Sequence, residues 1–376
     1  MAEEEAFNRV SVARAQSFRI VHTESSLGWG GQEHRILAEL VGFQQRGCEI
    51  GLVAPTESEI FWRAKETGVR VQPLTMTRVR FFWNALALAR WLRRERVEVL
   101  NPHSSRDAWV AGLAGRIARV PLIVRTRHFD VPIPNPRLSR YVYQSLADHV
   151  LTTSPRITDH LRKLFDLAED RISTVPTGVD LQRFSPDGPR AKLTSTDLPV
   201  IGMISVVRRA KGHETFLRAA LILKNDGTPA HYVLVGEGPH RPHVERMARE
   251  MGLSACLTFI GHREDVPEIL RALDVLVIPS LHEGIPQVGL QALATKTPLI
   301  GSDIGGIPSI IRPGQTGRLV APGDPAALAG AIRETLQDAA LTQALCENGR
   351  ALVEREHSLE KMLDKLEELY RRYIPK

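Results

Sequence analysis

A single carboxylate, Glu283, lies where a buried strand is expected to give way to a helix. Residues 275–294 (VLVIPSLHEGIPQVGLQALA) begin as an apolar run, break at residues 279–286, and resume with helical periodicity. In an open α/β sheet, ligands bind at the carboxyl ends of the strands. The N-terminus of the following helix attracts phosphate. This loop therefore predicts a site for an anion and a polyhydroxyl group together, which is the chemistry of a nucleotide sugar.

A basic pair, Arg208 and Lys211, follows another expected strand at residues 199–205. The two residues are three positions apart in a loop or first helical turn, so their charged ends can converge on one target. Two cations beside a leaving pyrophosphate would stabilise the negative charge that develops as a glycosidic bond breaks, and removing one such group typically costs ~10²–10³ in rate. The alternative is a solvated basic turn. The position at a strand end favours the functional interpretation.

Glycines follow the first expected strand. Gly30 and Gly31 precede a helix with apolar periodicity, and their lack of side chains would let a ligand approach the backbone at a helix N-terminus. A dinucleotide-binding loop would have the pattern G-x-G-x-x-G, and the third glycine is missing here. A plain strand-to-helix turn is the alternative to a ligand site.

Two histidines, His103 and His128, are expected at strand ends, and His128 is the stronger candidate for ligand contact. The sequence contains no Asp-x-Asp pair that could hold Mg²⁺ or Mn²⁺ against a diphosphate. Charge neutralisation is therefore expected from Arg208, Lys211 and helix N-termini. We predict an enzyme that needs no metal ion and no cofactor, and that takes a nucleoside-diphosphate sugar as substrate.

The elements that would position these residues alternate between strand and helix, which implies right-handed βαβ units and parallel sheets. The expected strands are residues 18–23, 49–55, 69–75, 97–103, 121–128, 149–154, 172–178, 199–205, 231–236, 257–261, 275–280, 298–303 and 317–320. A polar stretch at residues 187–198 separates two series of these units. The predicted fold class is α/β, with two facing Rossmann-like domains, parallel sheets and a cleft between the domains.

The predicted domains are residues 18–190, after a polar tail of residues 1–17, and residues 191–356. Residues 357–376 predict an amphipathic helix that could pack on either domain. The formal net charge of +6 favours an anionic membrane surface or a phosphorylated substrate over nucleic acid, since no aromatic-basic platform is present. Three widely spaced cysteines and an N-terminus without an apolar run predict a cytoplasmic protein.

Residues 76–96 combine aromatic residues with a group of arginines. The arginines are Arg78, Arg80, Arg90, Arg93, Arg94 and Arg96, and an apolar stripe is expected from Phe81, Phe82, Ala85, Leu86, Ala89 and Leu92. A helix with a solvated basic face is one interpretation. The other is an element that docks on anionic lipid or on a lipid-linked acceptor at the cytoplasmic face of a membrane.

Several segments, in this order and spacing, resemble those of the retaining GT-B glycosyltransferases of family 4, along nearly the whole chain after the tail. The matching segments are the Gly30-Gly31 loop, His128, VPTGVDLQRFSP, the loop with Arg208 and Lys211, LVGEGP, FIGHREDV, PSLHEGIPQVGLQALA and GGIPSII…GQTGRLV. The resemblance implies a nucleotide-sugar donor held mainly by the second domain, and a C-terminal helix that crosses back to the first.

The resemblance also implies a role for individual residues. Glu283 would contact hydroxyl groups of the donor sugar, His128 would contact the same sugar, and Arg208 with Lys211 would bind the diphosphate. His262 and Arg263 would lie near the nucleobase. The residues whose backbone would meet the diphosphate and sugar are Gly284, Ile285, Pro286, Gln287 and Val288.

One position departs from the family pattern, because Gln291 stands where the family has a second glutamate that holds the nucleotide ribose. A carboxylate can accept hydrogen bonds from both ribose hydroxyls, whereas an amide offers one acceptor oxygen and a donor group. Altered ribose recognition is expected, and a dTDP-sugar is one donor that would fit.

Together these features predict a retaining glycosyltransferase that transfers a sugar to a hydroxyl of a glycan or lipid-linked acceptor, in lipopolysaccharide or cell-surface polysaccharide synthesis. Three alternatives stay open at this point. They are a nucleotide-sugar epimerase or hydrolase of the same fold, an inactive nucleotide-sugar-binding module, and a dinucleotide oxidoreductase.

Overall fold

A computed structural model describes residues 17–77, 80–129, 132–133 and 135–374. Most of the predicted polar tail, and Arg78, lie outside the described residues. The chain divides into two compact units. The first unit comprises Met1–Val175 and Leu363–Lys376, and the second comprises Pro176–Met362.

The first unit contains a seven-stranded sheet in the order β3-β2-β1-β4-β5-β6-β7, in which every pair is parallel. Its strands are β1 (Arg19–Thr23), β2 (Glu49–Ala54), β3 (Arg70–Pro73), β4 (Val99–Pro102), β5 (Leu122–Arg127), β6 (His149–Thr152) and β7 (Ile172–Thr174). The order reverses between β1 and β4, which makes the carboxyl ends of these two strands the ligand crevice of such a sheet.

Helices connect successive strands of the first unit. They are α1 (Gly31–Gln45), α2 (Glu59–Glu66), α3 (Phe81–Arg94), α4 (Ser105–Ala118), α5 (Pro136–Tyr141) and α6 (Pro155–Phe165). The start of α6 illustrates why they form where they do, since Pro155 occupies the first turn and the Ser154 hydroxyl accepts a hydrogen bond from the backbone N–H of Ile157.

The second unit contains a six-stranded parallel sheet in the order β10-β9-β8-β11-β12-β13. Its strands are β8 (Val200–Ile204), β9 (His231–Val235), β10 (Leu257–Gly261), β11 (Val275–Ile278), β12 (Leu299–Ser302) and β13 (Arg318–Val320). The helices are α7 (His213–Asn225), α8 (Arg241–Glu250), α9 (Val266–Ala272), α10 (Gln287–Ala294), α11 (Pro325–Gln337) and α12 (Ala339–Glu356). Here the strand order reverses between β8 and β11.

Buried apolar side chains line both faces of each sheet, as expected for parallel strands covered by helices. Every strand predicted from the sequence has a counterpart in the structure, and the two Rossmann-like sheets are confirmed. The polar stretch at residues 187–198 contains no helix or strand.

The last helix, α13 (Leu359–Tyr373), belongs to the first unit from Leu363 onward. The Tyr370 ring contacts Phe18 and Phe43, with ring centroids 5.9 and 5.6 Å apart. Arg46 forms ion pairs with Asp364 at 2.8 Å and with Glu367 at 3.1 Å. All of these contacts lie within the first unit.

The first unit ends at Val175, earlier than the predicted boundary at residue 190. The intervening segment belongs to the second unit because Val179 pairs with the backbone near Ser358 and Phe184 lies in the core of that unit. A strand-and-linker pattern in the sequence carries no information about which sheet such a segment packs against.

Candidate active site

The second unit brings Lys211 and Glu283 together, although they are 72 positions apart in the chain. Lys211 follows β8 and Glu283 follows β11, the neighbouring strands at which the order of the sheet reverses. Lys211 Nζ donates to Glu283 Oε2 over 2.6 Å, and the Ser280 hydroxyl donates to the same oxygen over 3.1 Å. The structure therefore places a cation and a carboxylate at the crevice that the sequence predicted.

Backbone contacts between the two loops hold this pair in place. The N–H groups of Leu281 and His282 donate to the carbonyl oxygen of Ala210 over 2.8 and 3.3 Å. Gly212 has a φ of +76°, and a Cβ there would overlap the carbonyl oxygen of Pro279. Only glycine allows both this left-handed conformation and this close approach. The position of Lys211 thus depends on its glycine neighbour.

A third loop, after β12, supports Glu283 from the other side. Gly305 has a φ of +61°, and a Cβ there would overlap the carbonyl oxygen of Glu283 itself. The next residue, Gly306, donates its N–H to the carbonyl oxygen of Gly284 over 3.2 Å. The carboxylate loop is therefore clamped between the loops that follow β8 and β12.

The Lys211–Glu283 pair is partly open to solvent, since 28% of the lysine side chain and 12% of the glutamate side chain are exposed. Helix α10 begins directly after this loop, and its N-cap residue, Pro286, provides no side-chain hydrogen bond to the first turn. Helix N-termini that lack a side-chain cap carry unpaired amide groups and a partial positive charge. This arrangement can bind a phosphate group and hydrogen-bond a sugar hydroxyl.

Arg208 lies in the same loop as Lys211, and its side chain is exposed without an ion pair among the described residues. The backbone carbonyl of Arg208 accepts a hydrogen bond from the N–H of Lys211 over 2.9 Å. Next to this loop, burial lowers the pKa of His213 to about 4, so His213 is neutral at physiological pH. The expected convergence of Arg208 and Lys211 on one target remains a prediction.

The other residues expected in the second domain lie at different depths. Gly284, Ile285, Gln287, Val288 and Gln291 are half-buried around the start of α10, while Pro286 is buried. His262 and Arg263 are exposed after β10, the edge strand, which is separated from β8 by β9. Arg263 pairs with Asp265, with Nε and Oδ1 2.7 Å apart.

In the first unit, Gly30 and Gly31 lie at the start of α1, as predicted. The N–H of Gly30 donates to Glu33 over 3.0 Å. Next to this loop, the fully buried Glu24 accepts hydrogen bonds from Gln32, from the Ser104 hydroxyl, and from the N–H of Ser26. Burial raises the pKa of the Glu24 carboxyl.

Asp107 is a second buried carboxyl at this edge of the first sheet. It accepts hydrogen bonds from the Thr23 hydroxyl over 2.8 Å and from the backbone N–H of His103 over 2.9 Å. Burial, together with the nearby charge of Glu24, raises the pKa of Asp107 to about 8. Asp107 fixes the backbone of His103 at the end of β4.

His103 and His128 are joined directly, because His103 Nδ1 and His128 Nε2 are 2.9 Å apart. A third histidine on β1, His22, continues the row, with its Nδ1 2.8 Å from His103 Nε2. All three side chains are buried. Both predicted histidines therefore lie at one strand-end cluster of the first unit.

Two groups of side chains in the described residues have the spacing of metal ligands. The group His22, Glu39 and His103 is buried, but the two rings already hydrogen-bond each other and Arg35 donates to Glu39 over 2.7 Å. A cation there would replace these bonds beside a guanidinium charge. The group Glu214, His240 and His243 is half-buried at the starts of α7 and α8, outside the Lys211–Glu283 pair.

Sequence reasoning missed three features of these sites: Glu24, His22 and the clamp at Gly305. Glu24 follows the first strand directly, so the strand-end rule that selected Glu283 could have found it. His22 looks like an interior residue of an apolar strand. The doublet Gly305-Gly306 is only a weak sequence signal for the clamp at Gly305.

Comparison with known proteins identifies the family of this chain. Two family models match the chain, "Glycosyltransferase Family 4" over residues 29–183 and "Glycosyl transferases group 1" over residues 198–338. A curated relative from Escherichia coli, UDP-Gal:alpha-D-GlcNAc-diphosphoundecaprenol alpha-1,3-galactosyltransferase, is 28% identical over 302 residues, which cover 76% of this chain and 78% of the relative.

Solved structures share the fold over almost the whole chain. A glycosyltransferase from Rickettsia africae gives a TM-score of 0.84 at 20% identity, covering 96% of this chain and 100% of that one. HepE of Anabaena, in complex with UDP-glucose, gives a TM-score of 0.79 at 17% identity, and the match covers 94% of this chain and 99% of that one. The predicted GT-B fold is thereby confirmed.

Proposed function

We propose, from the premise that this chain belongs to the group 1, family 4 glycosyltransferases, that it is a metal-independent retaining enzyme acting on a nucleoside-diphosphate sugar. The observation that carries the proposal is the Lys211–Glu283 pair, held by three loops at the strand reversal of the second sheet. The family supports the class of reaction, Lys211 supports a diphosphate as the leaving group, and Glu283 supports a sugar as the transferred group.

The reaction breaks the bond between the sugar anomeric carbon and a phosphate oxygen, and forms a bond from that carbon to an acceptor hydroxyl oxygen. Negative charge grows on the diphosphate as the first bond breaks. Lys211, Arg208 and the N-terminal amides of α10 are proposed to stabilise that charge, as fixed dipoles and cations do in a site with little water. The acceptor proton passes to the departing phosphate, so retention of configuration requires no protein base.

Glu283 is proposed to orient the donor sugar by accepting hydrogen bonds from its hydroxyl groups. Its Oε2 already accepts from Lys211 and from the Ser280 hydroxyl. A carboxylate held this way keeps further lone pairs for a ligand. Among residues of the first unit, His128, Gly30 and Gly31 are proposed to contact the donor, and His262 with Arg263 in the second unit to lie near the base.

A donor screen tests the proposal. Thermal stabilisation should appear with one class among UDP-, GDP-, ADP-, CMP- and dTDP-sugars, and transfer to an undecaprenyl-diphosphate-linked sugar should continue in EDTA. Activity that is lost in EDTA and restored by manganese would overturn metal independence. Hydrolysis of the donor with no transfer to any glycan or lipid-linked acceptor would overturn the assignment of an acceptor.

The same screen tests whether Gln291 changes ribose recognition. Gln291 lies one turn into α10 and is half-buried. If its amide replaces a carboxylate that binds both ribose hydroxyls, a dTDP-sugar should stabilise the protein at least as well as the matching UDP-sugar. Gln291→Glu should then shift the preference toward UDP. Equal binding of UDP and dTDP forms to both variants would contradict this hypothesis.

The acceptor is proposed to be lipid-linked, in lipopolysaccharide or cell-surface polysaccharide synthesis. The E. coli relative is named for a diphosphoundecaprenol acceptor. In this chain no helix among the described residues is long and apolar enough to cross a membrane. We propose that such an acceptor is reached through a surface that docks on the membrane.

Helix α3 supplies that surface. Of the apolar residues expected on this helix, Ala85, Ala89 and Leu92 are buried, whereas Phe82 and Leu86 are exposed. The outer face instead carries Phe82 and Trp83, 71% and 74% exposed, at one end. The other end of this exposed face carries Arg90, Arg93 and Arg94. Aromatic side chains beside arginines are typical of docking on anionic lipid.

Replacing Phe82 and Trp83 together by serine should weaken binding to anionic vesicles about tenfold or more, since burying one large apolar side chain contributes roughly 1.5–3 kcal/mol. Co-sedimentation with phosphatidylglycerol vesicles measures the loss. Leu138→Ser is the matched control, because Leu138 is 58% exposed in α5, away from α3. Equal vesicle binding by the wild type and the double variant would overturn the docking surface.

A further inference from the structure

Three buried histidines form a continuous row in the first unit. His22 lies on β1, His103 follows β4 and His128 follows β5. Neighbouring rings are 5.0 and 5.1 Å apart between centroids, and the nitrogens that face each other are 2.8 and 2.9 Å apart. Both gaps are hydrogen-bond distances, so each gap holds one proton and one lone pair.

The three rings are neutral at physiological pH. Burial lowers the pKa of His22 to about 4, and burial with nearby positive charges lowers the pKa values of His103 and His128 well below their ordinary range. A neutral imidazole has one N–H and one bare nitrogen. The row therefore has only two consistent arrangements, with every ring protonated on Nδ1 or every ring protonated on Nε2.

The inner end of the row discriminates between these arrangements. His22 Nε2 is buried and has no hydrogen-bond partner in the described part of the chain. Protonation there would bury an unsatisfied N–H, which is costly. Glu39 Oε2 also lacks a hydrogen-bond partner among the described residues and lies 3.8 Å from His22 Nδ1, so its charge favours a proton on Nδ1. Both observations select the arrangement with every ring protonated on Nδ1.

We infer that His22 and His103 are positioning residues that hold His128 in the tautomer with its proton on Nδ1. His22 Nδ1 then donates to His103 Nε2, and His103 Nδ1 donates to His128 Nε2. His128 Nδ1 has no partner among the described residues, and its N–H is left to donate to a ligand. This inference rests on the proposed function for one point only, that the ligand oxygen belongs to the donor sugar.

Nitrogen NMR of the labelled full-length protein tests the tautomer without any substrate. The expected spectrum shows His128 protonated on Nδ1 and bare on Nε2. In His22→Leu the first donor is lost, so the preference of His128 for Nδ1–H should weaken. In His22→Asn the amide nitrogen occupies roughly the place of the His22 Nδ1 atom. This variant should therefore preserve the preference of His128 for Nδ1–H. A wild-type His128 protonated on Nε2 would overturn the inference.

Kinetics separate this inference from the proposed function. His22→Leu should lower kcat about tenfold, the effect expected for one misdirected hydrogen bond, with the KM for the donor nearly unchanged. The kcat of His22→Asn should lie within about twofold of the wild-type value. A tautomer change in His22→Leu with an unchanged kcat would overturn the contact with the sugar while leaving the histidine row intact. If His22→Leu fails to fold, the tautomer of the wild-type protein and the kinetics of His22→Asn still test the inference.

Discussion

Lys211→Ala is expected to reduce sugar transfer about 10²–10³-fold, because it removes the positive charge proposed to face the departing diphosphate. The ammonium is anchored on Glu283 over 2.6 Å, so in the folded protein it is already oriented and needs no reorganisation during the reaction. The loss should appear in kcat more than in the donor KM, since the diphosphate gains charge only as the bond breaks. Steady-state transfer assays measure both parameters.

The controls for Lys211→Ala separate chemistry from charge and folding. The Lys224 side chain is exposed and donates a hydrogen bond to the carbonyl oxygen of Gly252, so Lys224→Ala removes an equal charge outside the Lys211–Glu283 pair. The Lys224→Ala variant should transfer sugar at a rate within about twofold of the wild type. Glu283→Gln keeps the size of the side chain and should also strongly reduce transfer. Normal turnover by Lys211→Ala or Glu283→Gln would refute the site.

The sequence predicted the Lys211–Glu283 site because its parts are local patterns combined by one topological rule. Each residue follows a recognisable buried strand, and in a doubly wound sheet the loops after the strands that flank the reversal meet. The 72-residue separation is therefore no obstacle to prediction. The strands themselves were predictable because parallel strands buried on both faces are short, continuous apolar runs.

What could not be predicted depends on distances that sequence patterns do not encode. The row of His22, His103 and His128 joins three strands, and its two gaps are set by strand spacing and ring rotation. The exposure of Phe82 depends on which side of α3 packs on the sheet, and a wide apolar pattern leaves that choice open. The boundary at Val175 depends on long-range packing of the next segment.

Gly212→Ala is expected to cost on the order of 3 kcal/mol or more in the free energy of unfolding, although it adds only one methyl group. The left-handed conformation alone costs a side chain about 1–2 kcal/mol. The rest arises because the new Cβ would overlap the carbonyl oxygen of Pro279, a backbone atom that cannot rotate away. Relief requires the loop that follows β8 to move away from the loop that follows β11.

Gly227→Ala isolates the cost of the left-handed conformation. Gly227, in the same unit, has a φ of +72°, and no atom of the described residues lies within 4 Å of a new Cβ there. Urea-induced unfolding should show a clearly larger loss for Gly212→Ala than for Gly227→Ala. Sugar transfer by Gly212→Ala should also fall under conditions where the variant is folded. Lys211 would move with its neighbour and lose its hydrogen bond to Glu283. Equal losses of stability in the two variants, or full transfer by folded Gly212→Ala, would show that the two loops do not depend on this close contact to hold the pair.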